Sequence, residues 1–160
     1  MNEREFFQMR RKAERDVFVR VLRALPGDRL DYRPHPKSPS AGEILRTLVA
    51  EHAACGHLAA SARAEWTPST VATIDEAVAA FEKAWDDLDA KVAGLDEAGW
   101  TRNGEFYSGG KKVMEQPVGA FLWFILFDAI HHRGQLSAYI RPMGGTVPPI
   151  YGPSGDSRPS

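Results

Sequence analysis

Only one cysteine, Cys55, occurs in the 160 residues. No intrachain disulfide is therefore available, and a reducing compartment, the cytoplasm, is the expected location. An excess of charge of one sign is also missing, since 20 basic residues stand against 21 acidic ones. Such a chain lacks the field that draws nucleic acid or an anionic membrane, so neither is an expected partner. The basic residues between Arg4 and Arg23 alternate with Glu3, Glu5, Glu14 and Asp16 and read as a solvated helix face. Long apolar runs are absent as well. The longest, Val118 to Phe127, is about half of the ~20 residues a membrane span needs, which makes it a core helix. The charged start Met1-Asn2-Glu3-Arg4-Glu5 is not expected to open a secretory leader. No strand pattern rivals the helical ones in length, and no internal repeat is found.

What remains is a chain with 43% hydrophobic residues, enough for one domain with a sizeable core over residues 1–160. Four helical patterns follow one another. The first runs from about Asn2 to Leu25, with Phe6, Phe7, Val17, Val21, Leu22 and Leu25 as its apolar stripe, and closes at Pro26-Gly27-Asp28. A proline-rich loop, Arg33 to Pro39, leads to Ser40, which with Glu43 has the spacing of a capping box. Helix two then carries Ile44, Leu45, Leu48, Val49, Cys55 and Leu58 to about Arg63. Thr73 opens the third pattern, marked by Ile74, Ala77, Val78, Phe81, Trp85, Leu88 and Val92 and ending near Gly94. Leu95 to Gln116 is long for a connection, and its turn signals Asn103-Gly104 and Ser108-Gly109-Gly110 suit a short hairpin or an irregular crossover. Pro117 suits the first turn of the last helix, which runs to about Arg141. Residues from about 146 to 160 form an irregular tail, which Val147, Ile150 and Tyr151 can pin. The fold class expected is all-α: a four-helix bundle with one long crossover before the last helix.

The chemistry concentrates in Phe127-Asp128-Ala129-Ile130-His131-His132-Arg133-Gly134-Gln135. Asp128 and His132 are four residues apart and share a helix face, so both can reach one divalent metal, with Gln135 a turn further on. Arg133 or Arg141 pairing with Asp128 is the rival reading, because a carboxylate in an apolar segment needs a partner. Catalytic metal sites take three protein ligands, so a third must come from another helix. On helix two, His52 lies near the centre of the apolar face and ranks first; Glu51 is second. Cys55 reads as a small buried hydrophobe. His131 points about 100 degrees away from His132. His35 and His57 read as surface residues.

The block Asp128 to Leu136, continued by Tyr139-Ile140-Arg141-Pro142-Met143-Gly144-Gly145 and preceded by Pro36 to Leu45, resembles the DinB/YfiT-like superfamily of metal-dependent proteins. That resemblance implies an up-down-down-up bundle, frequently a homodimer, and a divalent metal, zinc or nickel, bound by one ligand on helix two and two on the last helix. The two on the last helix map onto Asp128 and His132. The family's helix-two histidine maps onto Thr47, a poor ligand, so His52 or Glu51 must take its place. By the same resemblance the function expected is that of a metal-dependent enzyme, a thiol S-transferase using a low-molecular-weight thiol or a hydrolase, acting on a small molecule. Gln135 and Tyr139 are expected beside the ligands, Tyr139 at the entrance. The alternative is a non-catalytic, stress-related binding or dimerisation module with a degenerate metal site.

Overall fold

The computed structural model describes residues 1–157; the last three residues of the expected tail lie outside that range. Four long helices dominate: α1 (Glu3–Arg23), α2 (Ala41–Ser61), α3 (Ile74–Ala93) and α5 (Val118–Ile140), with the short α4 (Glu97–Thr101) before the last. Local chemistry sets their starts. Asn2 with Glu5, Ser40 with Glu43 and Thr73 with Glu76 each form a capping box that satisfies backbone donors left unpaired in the first turn. Pro117 opens α5, where its missing N–H costs nothing.

The long helices close a ring in which α1 touches α3 and α5, and α2 touches the same two. Phe7, Phe18, Leu22, Leu45, Leu48, Phe81, Trp85, Leu122 and Leu136 fill its centre. Across the α1/α3 seam Arg11 meets Asp89 and Arg15 meets Asp86. Between α2 and α3, His52 stacks on Trp85 at 4.9 Å, and a Cβ on Gly56 would stand 2.6 Å from the Asp87 carboxylate.

The expectation of an all-α fold is corrected by a three-stranded sheet: β1 (Arg63–Glu65), β2 (Asn103–Ser108) and β3 (Lys111–Pro117). Of the two readings of Leu95 to Gln116, the hairpin holds: β2 and β3 pair antiparallel around a two-residue turn. Gly109 and Gly110 there have φ of 58° and 74°, a backbone that a residue with a side chain resists. β1 joins β2 in parallel, directly after α2 ends at Ala62 with φ 57°. The sheet packs on the lower part of α2 and α5 through Ala54, Leu58, Ala64 and Phe121, with Phe106 and Met114 alongside.

The basic stretch of α1 also departs from expectation. Glu14 and Arg11 are buried, not solvated. Glu14 meets Arg133 at 2.5 Å, Arg10 at 2.9 Å and the Tyr151 hydroxyl at 3.0 Å. Arg11 lies over the Trp85 ring and bonds Asp89 at 2.6 Å. The tail is pinned as expected: Val147 and Ile150 pack on the core, and Asp156 accepts from Arg141 and the Val147 amide.

Candidate metal centre

α2 and α5 bring three metal-ligating side chains together: Glu51, Asp128 and His132. One donor atom from each lies within 4.8 Å of the other two. The His132 Nε2 is 3.6 Å from Glu51 Oε1 and 3.6 Å from Asp128 Oδ2. Asp128 and His132 share a face because they are one turn apart on α5. Their segment has apolar residues on all sides, so only the packing of α5 decides which face meets α2.

The three side chains grade from closed to open, with 5% of Glu51, 19% of His132 and 39% of Asp128 exposed. Glu51 Oε2 is buried and has no hydrogen-bond partner. Burial first, and the neighbouring Asp128 carboxylate second, push the Glu51 carboxyl up to about 9. Without a cation Glu51 is therefore a neutral acid at neutral pH. On the other side of the imidazole, His132 Nδ1 is 2.9 Å from Gln135 Oε1. An amide oxygen only accepts, so Nδ1–H donates, which leaves Nε2, on the side of the two carboxyls, as the nitrogen a metal would take.

His52, ranked first for helix two, is not in this group. It is fully buried in a box of Phe18, Phe81 and Trp85, and its Nδ1–H donates to the Leu48 carbonyl at 2.9 Å. Burial drives its pKa down to about 3, as suits a neutral core imidazole. The centre of an apolar face points into the packed core, whereas a ligand must stand at the edge, where the next helix leaves room. Glu51, one turn beyond Thr47, is at that edge. Thr47 itself donates to the Glu43 carbonyl at 3.0 Å. Tyr139 is also corrected: it lies against Tyr32, its hydroxyl donating to the Pro39 carbonyl, and closes the proline-rich loop rather than an entrance. Neither Arg133 nor Arg141 pairs with Asp128, since Glu14 and Asp156 take them. Cys55 is a buried thiol pushed up to about 12, chiefly by burial. His131, His35 and His57 are exposed.

The sequence reading missed the buried Glu14–Arg133 pair and the Tyr151 hydroxyl that joins it. Its one signal was Arg133 inside an apolar helix, where a charge demands a partner on another element. A cleft of about 360 Å³ lies on another side of α2 and is lined by Val49, Ala53, His57, Glu65 and Pro68. The two carboxyls and the imidazole do not line that cleft, and Asp128, 39% exposed, brings the group to the surface.

Two crystal structures share this architecture. A DinB-like protein from Bacillus subtilis matches with a TM-score of 0.72 over 92% of this chain and 99% of that one, at 19% identity. A DinB-like protein from Bacillus cereus gives 0.74 over 92% and 97%, at 18% identity. At that identity the likeness is one of fold. The Bacillus subtilis protein YrdA, designated uncharacterized, is 45% identical over 40 residues, 25% of this chain and 24% of its own length. That match thus spans about a quarter of the curated relative. The model of the DinB superfamily matches residues 11–136, most of the chain and all three grouped side chains, and the chain belongs to that superfamily.

Proposed function

We propose that this protein is a divalent-metal-dependent enzyme whose metal is held by Glu51, Asp128 and His132. The observation that carries this reading is the Glu51 carboxyl: buried, with Oε2 unpartnered, and facing a second carboxyl and an imidazole lone pair. Leaving such a group unpaired is costly, and a dication removes the cost. When bound, the metal would act as a Lewis acid that lowers the pKa of a coordinated water or thiol. The protein's own contribution is to hold the donors. Glu51 and Asp128 supply two negative charges, Gln135 fixes the His132 tautomer, and the exposed Asp128 edge admits a small-molecule substrate.

Thiol S-transfer with a low-molecular-weight thiol and hydrolysis are the reactions, and zinc and nickel the metals, that the family resemblance implies. The residue pairs across the seams support a four-helix bundle of up-down-down-up topology in a single domain: α2 and α3 pair in ascending order, α1 and α3 in opposite order. An exposed face of Phe6, Met9, Phe124 and Phe127 beside Trp123 supports a homodimer. The single buried cysteine supports the cytoplasm; among the described residues no helix is long and apolar enough to cross a membrane.

A second reading, a non-catalytic stress-related binding or dimerisation module, is favoured by one observation, that the two clefts beside His57 are not lined by the three ligands. Metal analysis of protein purified without chelator separates the two. About one equivalent of divalent metal is expected in the wild type and in His52→Leu, falling at least about tenfold in Glu51→Ala, Asp128→Ala and His132→Ala. Metal-free wild type, or content unchanged in the three ligand variants, overturns the enzyme reading.

A further inference from the structure

The donor set is unusual in its hardness. Two carboxyls and one imidazole meet, and no sulfur or second imidazole is near enough to join them. Cys55 is sealed in the core, the His52 Nδ1–H is spent on the Leu48 carbonyl, and His131 turns outward with its ring centre 5.6 Å from that of His132. Among the described residues, this is the one grouping of three metal-ligating side chains. It is also more than an acidic cluster, because the Glu51 side chain, 5% exposed, turns Oε1 to within 3.6 Å of the His132 Nε2 while its Oε2 is buried without a partner.

We propose that Glu51, Asp128 and His132 select a hard, oxygen-preferring dication of the Mn²⁺ type and take their substrate through oxygen, not as a thiolate. This rests on the metal-site reading and narrows it. Carboxylate and water ligands suit Mg²⁺, Ca²⁺ and Mn²⁺, whereas imidazole and thiolate shift preference to zinc, nickel and copper. Charge points the same way. Two carboxylates already cancel a dication, so a thiolate would bring an uncompensated negative charge into a site whose deepest ligand is almost wholly buried. A neutral oxygen donor replacing water adds no such charge. The gradient of exposure from Glu51 to Asp128 sets the approach: the ligand arrives over Asp128.

Calorimetric titration of metal-free protein with MnCl2 and with ZnCl2 tests the metal preference. Mn²⁺ is expected to bind one to one. The Zn²⁺-over-Mn²⁺ affinity ratio is expected to be at least about tenfold smaller in the wild type than in Glu51→His/Asp128→His. Asp128→His alone, at the exposed edge, provides the comparison if the double variant fails to fold. An equal ratio overturns this inference while leaving the metal site standing; failure of every dication to bind overturns both. Electron paramagnetic resonance of the Mn²⁺-loaded protein tests the substrate class. Pyridine N-oxide, a neutral oxygen donor, is expected to change the spectrum at concentrations at least about tenfold below those needed by 2-mercaptoethanol. The reverse order overturns oxygen ligation.

Discussion

Glu51 and His52 are neighbours on α2, and each has been moved far from its ordinary acidity in a direction that avoids charge. Glu51 holds its proton up to about 9, well above an ordinary carboxyl at 4.5. The folded metal-free protein therefore binds more protons than the unfolded chain between those values, and the Glu51 contribution to stability is lost as pH rises from about 4.5 to about 9. His52 works oppositely. Its pKa of about 3, against an ordinary 6.5, means that its contribution is lost as pH falls through that window. Between 6.5 and 9 only the Glu51 effect operates of the two. Urea denaturation of metal-free protein is expected to give a midpoint that declines over that range and a flatter profile in Glu51→Gln. A steeper decline in the variant would contradict the assignment. This residue scale is also where the sequence misled most narrowly. Asp128, His132 and Gln135 were legible from helical spacing alone, since one helix fixes their relation. Choosing between Glu51 and His52 meant choosing between directions about 100 degrees apart, and only the packing of α2 against α3 decides which one sees α5.

At the scale of elements, the helix starts were legible because capping is local: Ser40 with Glu43 and Thr73 with the following turn bound their helices within three residues. The sheet was not. β1 is three residues long with one buried side chain, Ala64, and pairs in parallel with a strand far along the chain. No local pattern encodes such a contact. The join between the hairpin and α5 is equally non-local and tightly built. A Cβ on Gly119 would fall 2.2 Å from the Trp100 indole, which lies against the first turn of α5 and donates to Glu3. Gly119→Ala must push α4 away or tilt α5. We expect a loss of about 1–3 kcal/mol in chemical denaturation, the usual range for overpacking. Gly134→Ala, with nothing within 4 Å of the added carbon, is expected to be neutral or slightly stabilising.

For the molecule as a whole, the Glu14–Arg133–Tyr151 cluster ties the first helix, the last helix and the tail to one point. Arg133 is 2% exposed and faces Glu14 at 1%, so removing one partner strands a buried charge. Arg133→Ala is expected to cost about 3–5 kcal/mol in guanidinium denaturation. Tyr151→Phe, which removes only a hydroxyl at a mostly exposed ring, is expected to cost about 1 kcal/mol. Comparable losses for the two would mean that the tail, not the ion pair, holds the helices. The sheet has a different reach. It takes in the chain as α2 ends at Ser61 and returns it as α5 begins at Val118, and Glu51 and Asp128 each stand ten residues from those ends. At 1.5 Å per residue both carboxyls stand about 15 Å along their helices from the sheet that joins them. Over that lever arm, a difference of about 4 degrees in the angle the sheet sets between the two helices would change the gap between the carboxyls by about 1 Å, so the pairing of three short strands fixes the width of a site that none of them touches.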